Sequence, residues 1–159
     1  MIIALVAMVM TASIASAQNY MVIDSEKVFK SVEAYNDALE QIEKLATEYQ
    51  AAVDNKFAEV ESIYNTYMQQ RASLSQNSQQ QYEQLILQKE AEATEYQESL
   101  FGTDGTLMKK RLELIQPIQE RVFDTIESFS KQYGYDLVID IAANPTVLYY
   151  STKVDFTDR

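Results

Sequence analysis

The 159-residue chain has no cysteine, no histidine and no tryptophan, and only three glycines and two prolines. Without cysteine no disulfide can staple it, so its stability has to come from packing between helices or between chains. Without histidine and cysteine, most zinc, haem and iron–sulfur sites and most nucleophile–base pairs are out of reach. We therefore expect no enzyme, no metal and no cofactor. Gly102 and Gly105 do not make a phosphate-binding loop, because the required lysine and the preceding strand are missing. So few glycines and prolines cannot supply the tight turns of an all-β protein. Basic residues are scarce as well: 13 Lys and Arg stand against 24 Asp and Glu, for a net charge of −11. Such a surface repels nucleic-acid backbones, and no nucleic-acid partner is expected.

Hydrophobic residues make up 47% of the chain, which sets it apart from disordered sequences. The abundant Gln, Glu, Ala, Leu, Ser and Tyr are mostly well tolerated in long helices. Met1 to Ala17 carry no charge and end on Ala15-Ser16-Ala17, the small-residue pattern of an export signal. We expect residues 1–17 to be a signal peptide cleaved after Ala17, delivering the protein to the periplasm. The apolar run is shorter than the roughly 20 residues that span a bilayer.

Tyr20-Met21-Val22-Ile23-Asp24 reads as a strand, after which Ser25 is placed to cap a helix. Val28, Val32, Tyr35, Leu39, Ile42, Ala46, Tyr49, Val53, Val60, Ile63, Tyr67 and Leu74 then follow steps of four and three, interrupted only by Lys56 and Gln70. That is a heptad seam, and a helix of such length needs a partner helix along it. Polar residues 75–78 offer a reversal, with Ser78 as the next N-cap, and the seam resumes at Tyr82, Ile86, Lys89, Ala93, Tyr96 and Leu100. Reversal there pairs residues whose numbers add to about 153: Val60 with Ala93, Tyr67 with Ile86, Phe57 near Tyr96. Lys56 would face the neighbourhood of Glu95 and Glu98.

Gly102 and Gly105 predict a bend, a non-helical insertion or a seat for the Tyr49 ring, and Pro117 a kink. Gly134 should end the last helix. Residues 136–141 and 146–151 read as strands, followed by a tail through Val154 and Phe156. The expected fold is mainly α with a small β body. Residues 18–27 supply its N-terminal strand, residues 28–111 a long antiparallel helical hairpin with its tip near 75–78, and residues 112–159 a base helix and C-terminal strands. Val22, Ile23, Leu137, Val138, Ile139, Val147, Leu148 and Tyr149 would fill that body. So few strands make an unstable sheet alone, which invites oligomerisation.

The opening strand running into Ser25-Glu26-Lys27-Val28-Phe29, the hairpin, and the closing Gly134-Tyr135-Asp136-Leu137-Val138-Ile139-Asp140 together resemble the periplasmic chaperones of the Skp (OmpH-like) family. The later Val147-Leu148-Tyr149-Tyr150 and Val154-Asp155-Phe156-Thr157 fit the same frame, so the likeness covers the whole mature chain. The resemblance implies a homotrimer whose small sheet body carries three coiled-coil tentacles around a cavity. It implies that unfolded outer-membrane proteins are held there, without ATP or any cofactor, until delivery. Well-known relatives are basic, however, and these arms are acidic. Binding to lipopolysaccharide or anionic lipid is therefore not expected here.

Contact with clients should fall to apolar residues on or beside the seam near the tip, namely Phe57, Tyr64, Tyr67 and Met68. Carboxylate pairs such as Glu92 with Glu95 read as solvated helix faces, and Lys109-Lys110-Arg111 as relief of negative charge. A holdase chaperone is the function expected. The alternative is a structural coiled-coil adaptor of the cell envelope that binds one folded partner.

Overall fold

The computed structural model describes residues 19–158, so the expected leader and its cleavage after Ala17 lie outside the described residues. The chain is mainly helical, with a two-stranded sheet and two long helices packed together. The described residues divide into two compact units: one holds residues 19–25 and 126–158, the other Glu26–Thr125.

The first unit is built on strand β1, Tyr20–Ile23. Its last three side chains are apolar and at most 6% exposed. β2, Leu137–Asp140, pairs with it in parallel, from Tyr20 opposite Leu137 to Ile23 opposite Asp140. A parallel pair needs a long crossover, and here every helix among the described residues lies within it. Gly134 makes the turn into β2. Its φ of 71° is left-handed, and the Tyr135 amide donates back to the Ser130 carbonyl at 2.9 Å, closing the helix end as a glycine stop. Phe129, Tyr135 and Phe156 pack as a ring cluster, with centroids 5.0 to 6.3 Å apart.

The second C-terminal strand expected at residues 146–151 is not formed. The far edge of β1 is taken instead by the tail: the Val22 amide donates to Val154 at 2.7 Å, and the Phe156 amide to Val22 at 2.9 Å. Local turns also compete for the segment. Asn144 accepts from the amide and hydroxyl of Thr146 through its side chain, and from the Val147 amide through its carbonyl. Leu148 and Tyr149 are left 95% and 85% exposed.

Helix α1, Ser25–Ser31, begins in register with this sheet. Ser25 is its first residue and not its cap. Its amide and hydroxyl donate to the Asp140 carboxylate at 3.1 and 2.6 Å. Burial acts to raise the Asp140 pKa, but hydrogen bonds from Ser25 and from the amides of Ala142 and Ala143 outweigh it. The carboxyl is held below its ordinary value.

In the second unit the long helix predicted from Ser25 is broken at Val32, whose φ of −86° and ψ of 112° are extended. The break is locally satisfied. Asn36 Nδ2 donates to the Lys30 and Val32 carbonyls, and the Phe29 and Tyr35 rings meet across it at 5.3 Å. α2 then runs without interruption over Glu33–Gln70. After the break it is Ala38, and not Leu39, that is buried.

A short 3-10 turn, Arg71–Ser73, ends the outward run, and α3, Gln76–Phe101, returns. Ser75, three residues earlier than expected, is the N-cap, its hydroxyl accepting from the Ser78 amide at 3.2 Å. Gln79 Nε2 donates to the Leu74 carbonyl and to the Arg71 carbonyl, which also accepts the Leu74 amide. Val60, Tyr67, Ile86 and Ala93 form one buried cluster, so the two helices meet in the register that the seam predicted. Lys56 lies over the Tyr96 ring, 5.0 Å from its centroid.

The glycine segment is a non-helical insertion between α3 and α4, Thr106–Tyr133. A Cβ on Gly102 would stand 2.5 Å from the Glu98 carbonyl oxygen, and one on Gly105 2.7 Å from that of Leu100. These glycines make room for their own backbone. The Tyr49 ring packs edge-on against Phe101 instead, at 6.5 Å. Pro117 lies inside α4, which continues through it.

Candidate functional site

The hairpin seam is filled, and exposed apolar side chains flank it. On a helix, residues 57, 64 and 68 fall on one face, because steps of seven and four return to nearly the same angle. Phe57, Tyr64 and Met68 accordingly stand on one side of α2, each between 38% and 48% exposed. Across the seam, α3 presents Leu87 on the same side, and it is 65% exposed.

These residues surround an open groove of about 410 Å³ near the tip, lined by Tyr64, Tyr67, Met68, Arg71, Glu83, Ile86 and Leu87. There is room for a side chain or two and none for a folded domain. Tyr67 and Ile86 are its floor, at 4% and 9% exposure. The Tyr67 hydroxyl donates to Glu83 Oε1 at 2.7 Å, and its ring stacks on Tyr82 with centroids 5.6 Å apart. The bond to the Glu83 carboxylate, helped by burial, pushes the Tyr67 pKa up and keeps the phenol a donor. Arg71 sits over the same ring at 5.9 Å. The floor is therefore held by hydrogen bonding and stacking, while the rim side chains of Tyr64, Met68 and Leu87 stand in solvent.

The other side of the hairpin is polar and internally paired. Lys89 bridges Glu59 at 3.7 Å and Glu92 at 3.0 Å, across and along the helices. Its hydrogen bond to Glu92, then the charge of Glu59, holds the ammonium pKa above the usual lysine value. The Glu92 pKa is lowered, first by Gln88 and then by Lys89. Glu92 and Glu95 share a shallow surface with Lys56 and Tyr96. Lys110 pairs with Glu113 at 2.7 Å. Among the described residues no group of three or more Asp or Glu could hold a metal ion, and no helix is long and apolar enough to cross a membrane.

The structure brings Tyr64, Tyr67 and Met68 together in the groove, with Phe57 two helical turns before Tyr64 on the same face. Leu87 was not among the residues expected to meet clients. The signal was the run Leu85-Ile86-Leu87: one seam can bury only one of three consecutive helical residues, so the other two must look outward. Of the residues assigned to the β body, Val22 and Ile23 are buried and Val138, Ile139 and Val147 half-buried. Leu137, Leu148 and Tyr149 are exposed.

A family model described as outer membrane protein (OmpH-like) matches residues 19–159. None of the curated proteins compared with the chain matches it.

Proposed function

We propose, from the premise that the chain belongs to the OmpH-like family of non-catalytic periplasmic chaperones, that it is an ATP-independent holdase. The observation that carries this reading is the exposed apolar rim of Phe57, Tyr64, Met68 and Leu87 beside a seam that is already packed. Apolar side chains held in solvent across two helices have no structural use in the hairpin itself, and on a soluble protein such patches mark binding. Unfolded outer-membrane proteins would be gripped by such rims on the arms, residues 28–111, of a homotrimer. Each contact is weak, and several acting on one chain give avidity without sequence specificity. The trimer would be held through the body formed by residues 18–27 and 112–159. The exposure of Leu137, Leu148 and Tyr149 supports that role, because these side chains find no cover within one chain. Export through a signal cleaved after Ala17 would place the protein in the periplasm.

The test is light scattering of an unfolded outer-membrane β-barrel diluted from denaturant, with and without the mature protein sized by multi-angle scattering. We expect suppression near one trimer per client in the absence of ATP. The double variant Tyr64→Ser, Leu87→Ser should lose most of it while keeping its helical content. Unchecked precipitation of the client alongside an intact trimer would sink the holdase reading and leave the adaptor reading in the lead.

A further inference from the structure

We infer that the hairpin groove selects cationic segments, polypeptide stretches in which Lys or Arg alternates with large apolar side chains. This rests on the holdase reading and adds to it the chemistry of the client. From Glu33 to Phe101 the two helices carry thirteen Asp and Glu against four Lys and Arg, a net of −9. The distribution of those four bases matters more than their number.

Lys56 and Lys89 stand on the side away from the groove, with Tyr96, Glu59 and Glu92. Arg71 is the one base that lines the groove, where it lies over the Tyr67 ring. Lys44 is more than three helical turns before Phe57. On the groove side, Glu61 stands one turn before Tyr64, and Glu90 one turn after Leu87. Both are exposed and neither enters an ion pair among the described residues. Glu83 accepts only the Tyr67 hydroxyl there and has oxygen lone pairs to spare.

The apolar rim is thus bordered by three carboxylates, Glu61, Glu83 and Glu90, against one cation, Arg71, so the groove side keeps an excess of negative charge. An apolar segment bearing acidic residues would bring like charges together at the rim. One bearing Lys or Arg would place cations among these carboxylates and against the Tyr64 ring, which attracts cations to its face. Charge of this kind chooses partners and sets the association rate more than it sets the total affinity.

The experiment uses two labelled, unstructured peptides with the same alternation of Phe, Leu and Tyr, one spaced by Lys and Arg, the other by Asp and Glu. Fluorescence anisotropy with the mature protein at low salt should show the cationic peptide binding about tenfold tighter. At 1 M salt, where screening acts over about 3 Å, the gap should close. Glu61→Gln with Glu90→Gln should narrow the gap at low salt, whereas Leu87→Ser should weaken both peptides alike. Client scattering is measured on the same samples. Equal binding of the two peptides, or preference for the acidic one, with aggregation still suppressed would overturn this inference and leave the holdase reading standing. Binding of neither peptide with suppression intact would overturn the groove as the selecting surface. Loss of suppression as well would overturn both.

Discussion

Between Tyr20 and Ile23 four residues engage two separate stretches from the end of the chain, whereas between Val53 and Leu100 the hairpin repeats a small contact layer about every seven residues. In the sheet, Met21, Val22 and Ile23 are all buried in succession, and β1 is bonded on both edges. In the hairpin, each layer buries one or two residues, and the next layer is two helical turns away. Order in the first unit is concentrated in one strand. In the second it is spread along a seam, so that no single layer holds it. The surface proposed to hold client chains lies on the spread-out element, where local change does not spread.

The sharpest way to break this comparison is to remove volume at its two extremes. Met21, 2% exposed, has neighbours on both edges of β1 and little freedom to let the sheet collapse around a cavity. Met21→Ala should cost about 2–5 kcal/mol, read by chemical denaturation at fixed protein concentration. In the hairpin the corresponding stress is overfilling. Ala93 is 1% exposed, and Ala93→Leu would push α2 and α3 apart at one layer, costing about 1–3 kcal/mol. Hydrogen exchange should show the extra opening confined to the amides around Val60 and Ala93. A cost for Ala93→Leu above that of Met21→Ala, or exchange rising along the whole hairpin, would contradict the distributed picture.

What the sequence made legible follows from how local each cause is. The heptad seam, the register of Val60 with Ala93, and the Gly134 stop rest on periodicity and on one residue's φ, all visible in a single chain. The break at Val32 was hidden because a β-branched residue at a seam position looks like a continuation, and the Asn36 side chain that satisfies the break does so only in three dimensions. The strand expected at 146–151 was misread because β propensity says that a segment suits a sheet, not that an edge is free. Both edges of β1 were claimed by residues 137–140 and 154–156, and propensity alone could not rank the three competitors. In the groove, Tyr64 and Met68 were found as off-seam apolar residues, but Leu87 required asking where a run of three would point.

The smallest effect, and the most discriminating for the sheet, concerns Asp140. Its two oxygens divide their work: Oδ1 accepts the amides of Ser25 and Ala142, and Oδ2 accepts the Ser25 hydroxyl. In Asp140→Asn the amide oxygen can keep both backbone donors while its NH2 turns toward Ser25 Oγ, which can accept as well as donate. The cost at neutral pH should therefore be below about 1 kcal/mol. Acid separates the two proteins. Because the folded pKa of Asp140 lies below the ordinary value of 3.8, the unfolded chain takes up its proton first as pH falls. The wild-type carboxylate thus contributes its full stabilisation above about pH 4, and loses it as pH drops through the lower folded value. Denaturation midpoints measured from pH 6 to pH 2 should fall more steeply for the wild type than for Asp140→Asn, with the two curves converging at the acid end. Parallel curves would mean that Asp140 carries no charge-dependent share of the sheet, and that the bonds to Ser25 only position the start of α1.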